Sequence, residues 1–233
     1  DNGIAAREAL ERAKALDLSV ILSLSYELFN AHCPEDWKQR AFDGDTALTG
    51  WSPPSTLLSP ANGDAVAYLQ AVARAFVGLA VAAGQAPRFQ VGEPWWWVKL
   101  DGRICLYDVA AKAALGGTPV EIATVRSTTL SAAQKALLDA AGALLAASTQ
   151  ALVEAVRADH PACETLLLVY LPTVLDAAAP DLARAIHLEV LGEDAGDLRP
   201  QHLIPLHPSR QHLGIGPLGR VVVVGRRGDR QHL

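Results

Sequence analysis

The chain has 233 residues, half of them apolar and 19% charged, with a formal net charge of −5. That length and apolar content suit one sizeable folded domain and exclude a solvated, disordered chain. The negative balance argues against nucleic acid as the main partner, because phosphate binding needs a basic surface.

From the first residue, Asp1, the segment "GIAAREALERAKALD" reads as a helix already in progress, and no methionine occurs anywhere in the chain. Both features suggest an internal piece of a longer protein, so absent targeting signals carry little weight. Residues 4–16 have helical spacing, with Ile4, Ala9, Leu10, Ala13 and Leu16 near one face. "LSVILSLSY" (18–26) reads as a strand of aliphatic and β-branched residues. A polar, Pro- and Gly-bearing stretch over 30–63 follows, long enough to suggest a site-building loop. Asn62 or Asp64 is placed to cap a helix over 64–83, in which Val66, Leu69, Val72, Phe76 and Leu79 recur every three or four residues. The apolar run 65–84 is the nearest approach to a membrane span, but with Gln70 and Arg74 it reads as a buried helix.

Gly84 ends that helix, and "PRFQVG" (87–92) makes a second strand with Glu93 at its C-terminal end. Segments 101–108 and 119–125 read as strand or loop. Ser131 caps a helix over 131–158, lined by Leu137, Leu138, Leu144, Leu145, Leu152 and Val156, and "TLLLVYLPTVL" (165–175) gives a third buried strand. Apolar strands alternating with helices predict a parallel sheet, either a (β/α) barrel or an open doubly wound sheet. Cys33, Cys105 and Cys163 are scattered and lack metal-ligand spacing, so they read as reduced or buried thiols.

Beyond about residue 187 the composition changes. No aromatic residue of the Phe, Trp or Tyr type follows Tyr170, no lysine follows Lys135, and "QHL" recurs at 201, 211 and 231. Apart from Val221–Val224 this tail has neither helical nor strand periodicity. The histidines in it lack the paired spacing that fixes a metal geometry, so no metal site is assigned. The expected division is a domain over 1–186 and an anomalous tail over 187–233, either disordered or the product of a shifted reading frame.

Ligands of parallel α/β sheets bind at the C-terminal strand ends. Three such ends carry chemistry here: Tyr26-Glu27, Glu93 followed by Trp95, Trp96 and Trp97, and Tyr170 with Pro172-Thr173. Carboxylates beside aromatic faces suit sugar chemistry, with a carboxyl group acting at the anomeric carbon and the rings stacking on pyranose faces. Glu93 is the candidate acid/base and Glu27 its candidate partner, since hydrolysis needs two carboxylates roughly 5–5.5 Å apart for a retaining or roughly 6.5–9.5 Å for an inverting mechanism. The same residues have a plainer reading: tryptophans that cap the end of a barrel, and carboxylates bonded to loop amides.

"LSLSYELF", "ALTGWSPPSTLLSPAN", "FQVGEPWWW", "ICLYD" and "LLVYLPTVLD" together resemble the glycoside-hydrolase-like TIM-barrel module of phage tail proteins and of gene transfer agent tail hubs. The resemblance runs from the N-terminus to about residue 186, and "GEPWWW" is its most specific block. It implies a partial (β/α) TIM-type barrel of parallel strands with an irregular C-terminal tail. Glu93 matches the acid/base glutamate of the Asn-Glu-Pro signature of many barrel glycosidases, although Gly92 stands where that signature has Asn. The implied function is a tail hub or baseplate domain, made in the cytoplasm and assembled into a phage-like tail. It would engage, and if active hydrolyse, a cell-envelope polysaccharide or peptidoglycan. Its partners would be that glycan and other tail proteins, with no cofactor, no nucleic acid and no membrane span. The alternative is a non-catalytic structural barrel of the tail assembly.

Overall fold

The computed structural model describes residues 2–168, 175–186, 212–214 and 219–226. Helix α1 (Asn2–Ala15) buries Ala6, Leu10 and Ala13 along one face. It feeds β1 (Leu18–Ser25), which is buried from Val20 onward on both faces, as a central strand covered on each side must be. The long connection over 30–63 is not all loop. Its end pairs back on the residues after β1, so that β2 (Glu27–Phe29) and β3 (Ser55–Leu57) form an antiparallel pair. Asn62 then caps α2 (Gly63–Ala82) by accepting the Ala65 N–H.

Next comes β4 (Arg88–Gly92), which lies parallel to β1 with Ser25 opposite Gly92. A long excursion holding the short α3 (Val109–Ala114) leads to α4 (Ala132–Asp159). Segments 101–108 and 119–125 are not strands; only an isolated bridge joins Val98 to Ile104. Ser131 starts α4 with a reciprocal capping box to Gln134, and β5 (Glu164–Leu167) then lies parallel to β4. The remainder of the expected third strand at 169–174, with Tyr170, Pro172 and Thr173, lies outside the described residues. A 3₁₀ turn at Pro180–Ile186 docks on α4, where Arg184 bonds both Asp139 and Asp181.

The described sheet is not wholly parallel. Its order is β5-β4-β1-β7-β6, and the last two strands, β7 (Gly219–Arg226) and β6 (His212–Gly214), run antiparallel to their neighbours. β7 takes in the Val221–Val224 run that the sequence marks as strand-like, whereas β6 comes from a stretch without strand periodicity; the tail residues other than these two strands lie outside the described ones. A closed barrel is not seen among the described residues.

Two apolar cores result. The first lies between the sheet, α1, α2 and the C-terminal half of α4; the second gathers Trp96, Ile104, Leu106, Tyr107 and Ile122 against the N-terminal half of α4. By length and composition alone α2 and α4 are apolar enough to cross a membrane, a test that buried core helices also pass. In the fold they pack on each other, and Arg74 of α2 forms a two-point ion pair with Asp159 of α4.

Candidate functional site

The two longest connections, 26–62 and 93–131, both leave the C-terminal ends of neighbouring parallel strands, β1 and β4. This is where a parallel α/β sheet keeps its ligands. Glu93 is the first residue beyond β4. Its backbone is left-handed, with φ of +54°, a conformation that costs a non-glycine residue about 1 kcal/mol or more. Its Oε2 accepts a 2.7 Å hydrogen bond from the Ser25 hydroxyl at the end of β1. The strand register puts Ser25 opposite Gly92, which brings that hydroxyl within reach of the next side chain along.

The same register explains Gly92. A Cβ built there would lie 2.5 Å from Ser23 Oγ and 3.2 Å from the Leu24 carbonyl oxygen. An asparagine of the glycosidase signature would fit at this position only if the Ser23 hydroxyl turned away and the β1 backbone gave slightly.

The tryptophan triplet divides. Trp96 is buried in the second core, and its indole N–H donates to the Ala141 carbonyl of α4 at 2.9 Å. Trp95 and Trp97 are half-buried, with Trp97 against the first core. Their backbone is held by Gln39, a fully buried residue of the other long connection. Gln39 Nε2 donates to the carbonyls of Leu58 and Trp95, and its Oε1 accepts the Trp97 N–H at 2.8 Å. One amide thus satisfies three backbone groups on two loops, as burial of polar groups requires. A lone glutamine inside a polar stretch carries no sequence signal for that role.

Other ties join the same two loops. Tyr107 donates its N–H to the Arg40 carbonyl, and its ring meets Phe42 edge-on at 6.3 Å. Arg103 pairs with Asp43, Asp45 and Asp101, and Lys99 reaches Asp45 and the Thr46 carbonyl. Arg103 holds the carboxyls of Asp45 and Asp101 below their usual range. The connections form one braced cap over the strand ends.

Of the remaining candidates, Tyr26 is fully buried and its hydroxyl shares a 2.7 Å hydrogen bond with Ser148 of α4. Burial pushes its phenol far above the ordinary value, against the opposing effect of Ser148. Tyr26 and Trp96 are core residues and present no ring to a ligand. Glu27 opens β2 and is 5% exposed, so little of it reaches solvent. Tyr170 lies outside the described residues. The structure therefore brings Glu93 and Ser25 together, with Trp95 and Trp97 part-exposed nearby in sequence.

A carboxylate missed by the sequence reading is Asp108. It is buried, caps α3 by accepting the Ala111 N–H at 3.0 Å, and leaves Oδ2 without a hydrogen bond of normal geometry. Burial raises its carboxyl above the usual range, opposed by the Ala111 amide and the Ser59 hydroxyl. All three cysteines are free and buried, with thiols pushed up by burial to about 11 for Cys33 and Cys163 and about 12 for Cys105. Among the described residues no three His, Cys, Asp or Glu side chains converge as a metal site requires.

The family model described as "Non-contractile tail sheath protein TIM barrel" matches residues 5–194. No curated protein and no solved structure matches the chain.

Proposed function

Since the chain belongs to the non-contractile tail sheath TIM-barrel family, a phage tail component that works among other tail proteins, we propose that it acts as a structural barrel module without catalysis. The observation that carries this reading is the Gln39 clamp on the tryptophan segment. It fastens both long connections to each other, while Trp96 is anchored on α4. Aromatic residues spent on packing and carbonyl ties build a rigid cap on the strand ends rather than an open, ring-lined cleft.

Tail assembly in a host carrying the full-length gene tests it. Trp96→Ala removes a buried ring and its hydrogen bond, and should sharply reduce the number of complete tails seen by electron microscopy. Glu93→Gln should leave that number unchanged. Normal assembly by the Trp96 variant would overturn the reading.

Glu93 favours a second reading, engagement of a cell-envelope glycan. A left-handed glutamate at a strand end, oriented by a serine hydroxyl, is the kind of strained polar residue found at ligand sites. Trp95 and Trp97 would flank it, and hydrolysis would further require Glu27 to approach the sugar. Incubation of the purified full chain with peptidoglycan sacculi and with capsular polysaccharide decides it. The glycan reading expects retention on one of them that Glu93→Gln abolishes, and release of reducing ends if the site is active. No retention and no release would sink it.

A further inference from the structure

β1 is the pivot of the described sheet: β4 lies along one edge, in parallel, and β7 along the other, antiparallel. Six residues of β7 are in register with β1, from Leu18 opposite Arg226 to Leu24 opposite Gly219, with one irregularity between Leu18 and Val20. The family match ends at residue 194, and β7 begins at 219. The strand that fills this edge of β1 therefore comes from outside the segment that the family defines as the barrel. Its direction also opposes the parallel strands that segment contributes. β7, flanked by β6 on its far side, meets β1 through a backbone ladder, and a chain that offers the same ladder can take its place.

We propose that the β7-facing edge of β1 is a strand-acceptor surface, filled in this subunit by Gly219–Arg226 and able to take the same segment from a second copy of the chain. The sequence suits that use. The run Val221–Val224 is a strong strand former, and the flanking Gly219 and Gly225 let a neighbouring backbone approach closely. Conformational exchange of this kind needs no change in the β1–β4–β5 ladder, whose hydrogen bonds lie on the opposite side of β1.

Two measurements decide it. In the full chain, Val222→Pro with Val223→Pro removes N–H donors on both edges of β7, because successive residues point to opposite edges. A fluorescently labelled peptide of residues 217–228 should bind this variant and not the unaltered chain, whose edge is occupied. Absence of binding to a cooperatively melting variant, or equal binding to both proteins, would overturn the proposal. Hydrogen exchange of the unaltered full chain supplies the second measurement and does not depend on the variant folding. Amides of β7 should be protected, yet open roughly tenfold or more often than those of Phe89–Val91 in β4. Unprotected β7 amides would refute the proposal. So would β7 and β4 amides that exchange only through one common opening.

Discussion

At the scale of single residues, buried polar groups decide how firmly the strand ends are capped. Gln39→Leu keeps the volume roughly but strands the Leu58 and Trp95 carbonyls and the Trp97 amide. Unsatisfied buried groups cost about 1–3 kcal/mol each, partly relieved by local relaxation, so a total loss of roughly 2–4 kcal/mol is expected. Urea unfolding followed by tryptophan fluorescence measures it, and a loss below about 1 kcal/mol would mean that the loops are held without the clamp. Asp108 gives a pH-dependent counterpart. Its carboxyl is raised in the folded chain by burial, above an unfolded value of about 3.9. Between the two values the folded protein keeps a proton that the unfolded chain has lost. The stability it contributes is thus complete below the unfolded value and is lost as pH rises through the folded one. Asp108→Asn retains an oxygen for the Ala111 N–H and has no proton to lose. Its stability relative to the unaltered chain should therefore rise as pH is taken up from 4, and a pH-independent difference would show that Asp108 is not desolvated as the structure implies.

At the scale of elements, periodicity and caps were legible and tertiary ties were not. Leu10 and Ala13, the repeats at Leu69 and Phe76, and the Leu137–Val156 stripe mark buried helix faces, whereas Ile4 and Leu16 of the expected α1 face are exposed. Ser131 was legible as a cap because a capping box uses residue types at fixed spacing. Ser131→Ala loses the hydroxyl oxygen that accepts the Gln134 N–H but keeps the backbone N–H that donates to Gln134 Oε1, and should lower stability by about 1 kcal/mol in urea melts. An unchanged midpoint would place the start of α4 under the control of packing alone. What stayed hidden depends on contacts distant in sequence. The β2–β3 pair needs Glu27 to meet Leu57, thirty residues on, and α3 is a single short turn begun by a buried aspartate. The candidate site was half legible for the same reason. Glu93 could be placed at a strand end from its neighbours, but Trp96 and Tyr26 looked like ligand-facing rings until α4 supplied Ala141 and Ser148. Gly92 read as a departure from a catalytic signature, whereas the β1–β4 register shows that any side chain there would strike the Ser23 hydroxyl unless it turned away.

At the scale of the whole molecule, the sheet's two flanks behave differently. One edge of the parallel trio is covered by β7, while β5 has a neighbour only on its β4 side among the described residues. The Glu164 and Leu168 amides donate to the carbonyls of Pro87, just before β4, and of Val91 on it. Amides alternate along a strand, so those of Thr165 and Leu167 point away from it. Outward-facing donors on a buried-type strand invite pairing with another chain. The isolated protein is therefore expected to self-associate as its concentration rises, in light scattering, with little dependence on salt because backbone hydrogen bonds rather than charges carry the contact. Exchange of the Thr165 and Leu167 amides should slow as association proceeds, while those of Phe89 and Val91 should stay constant. A concentration-independent monomer with a single cooperative melt would show that the β5 edge is already covered.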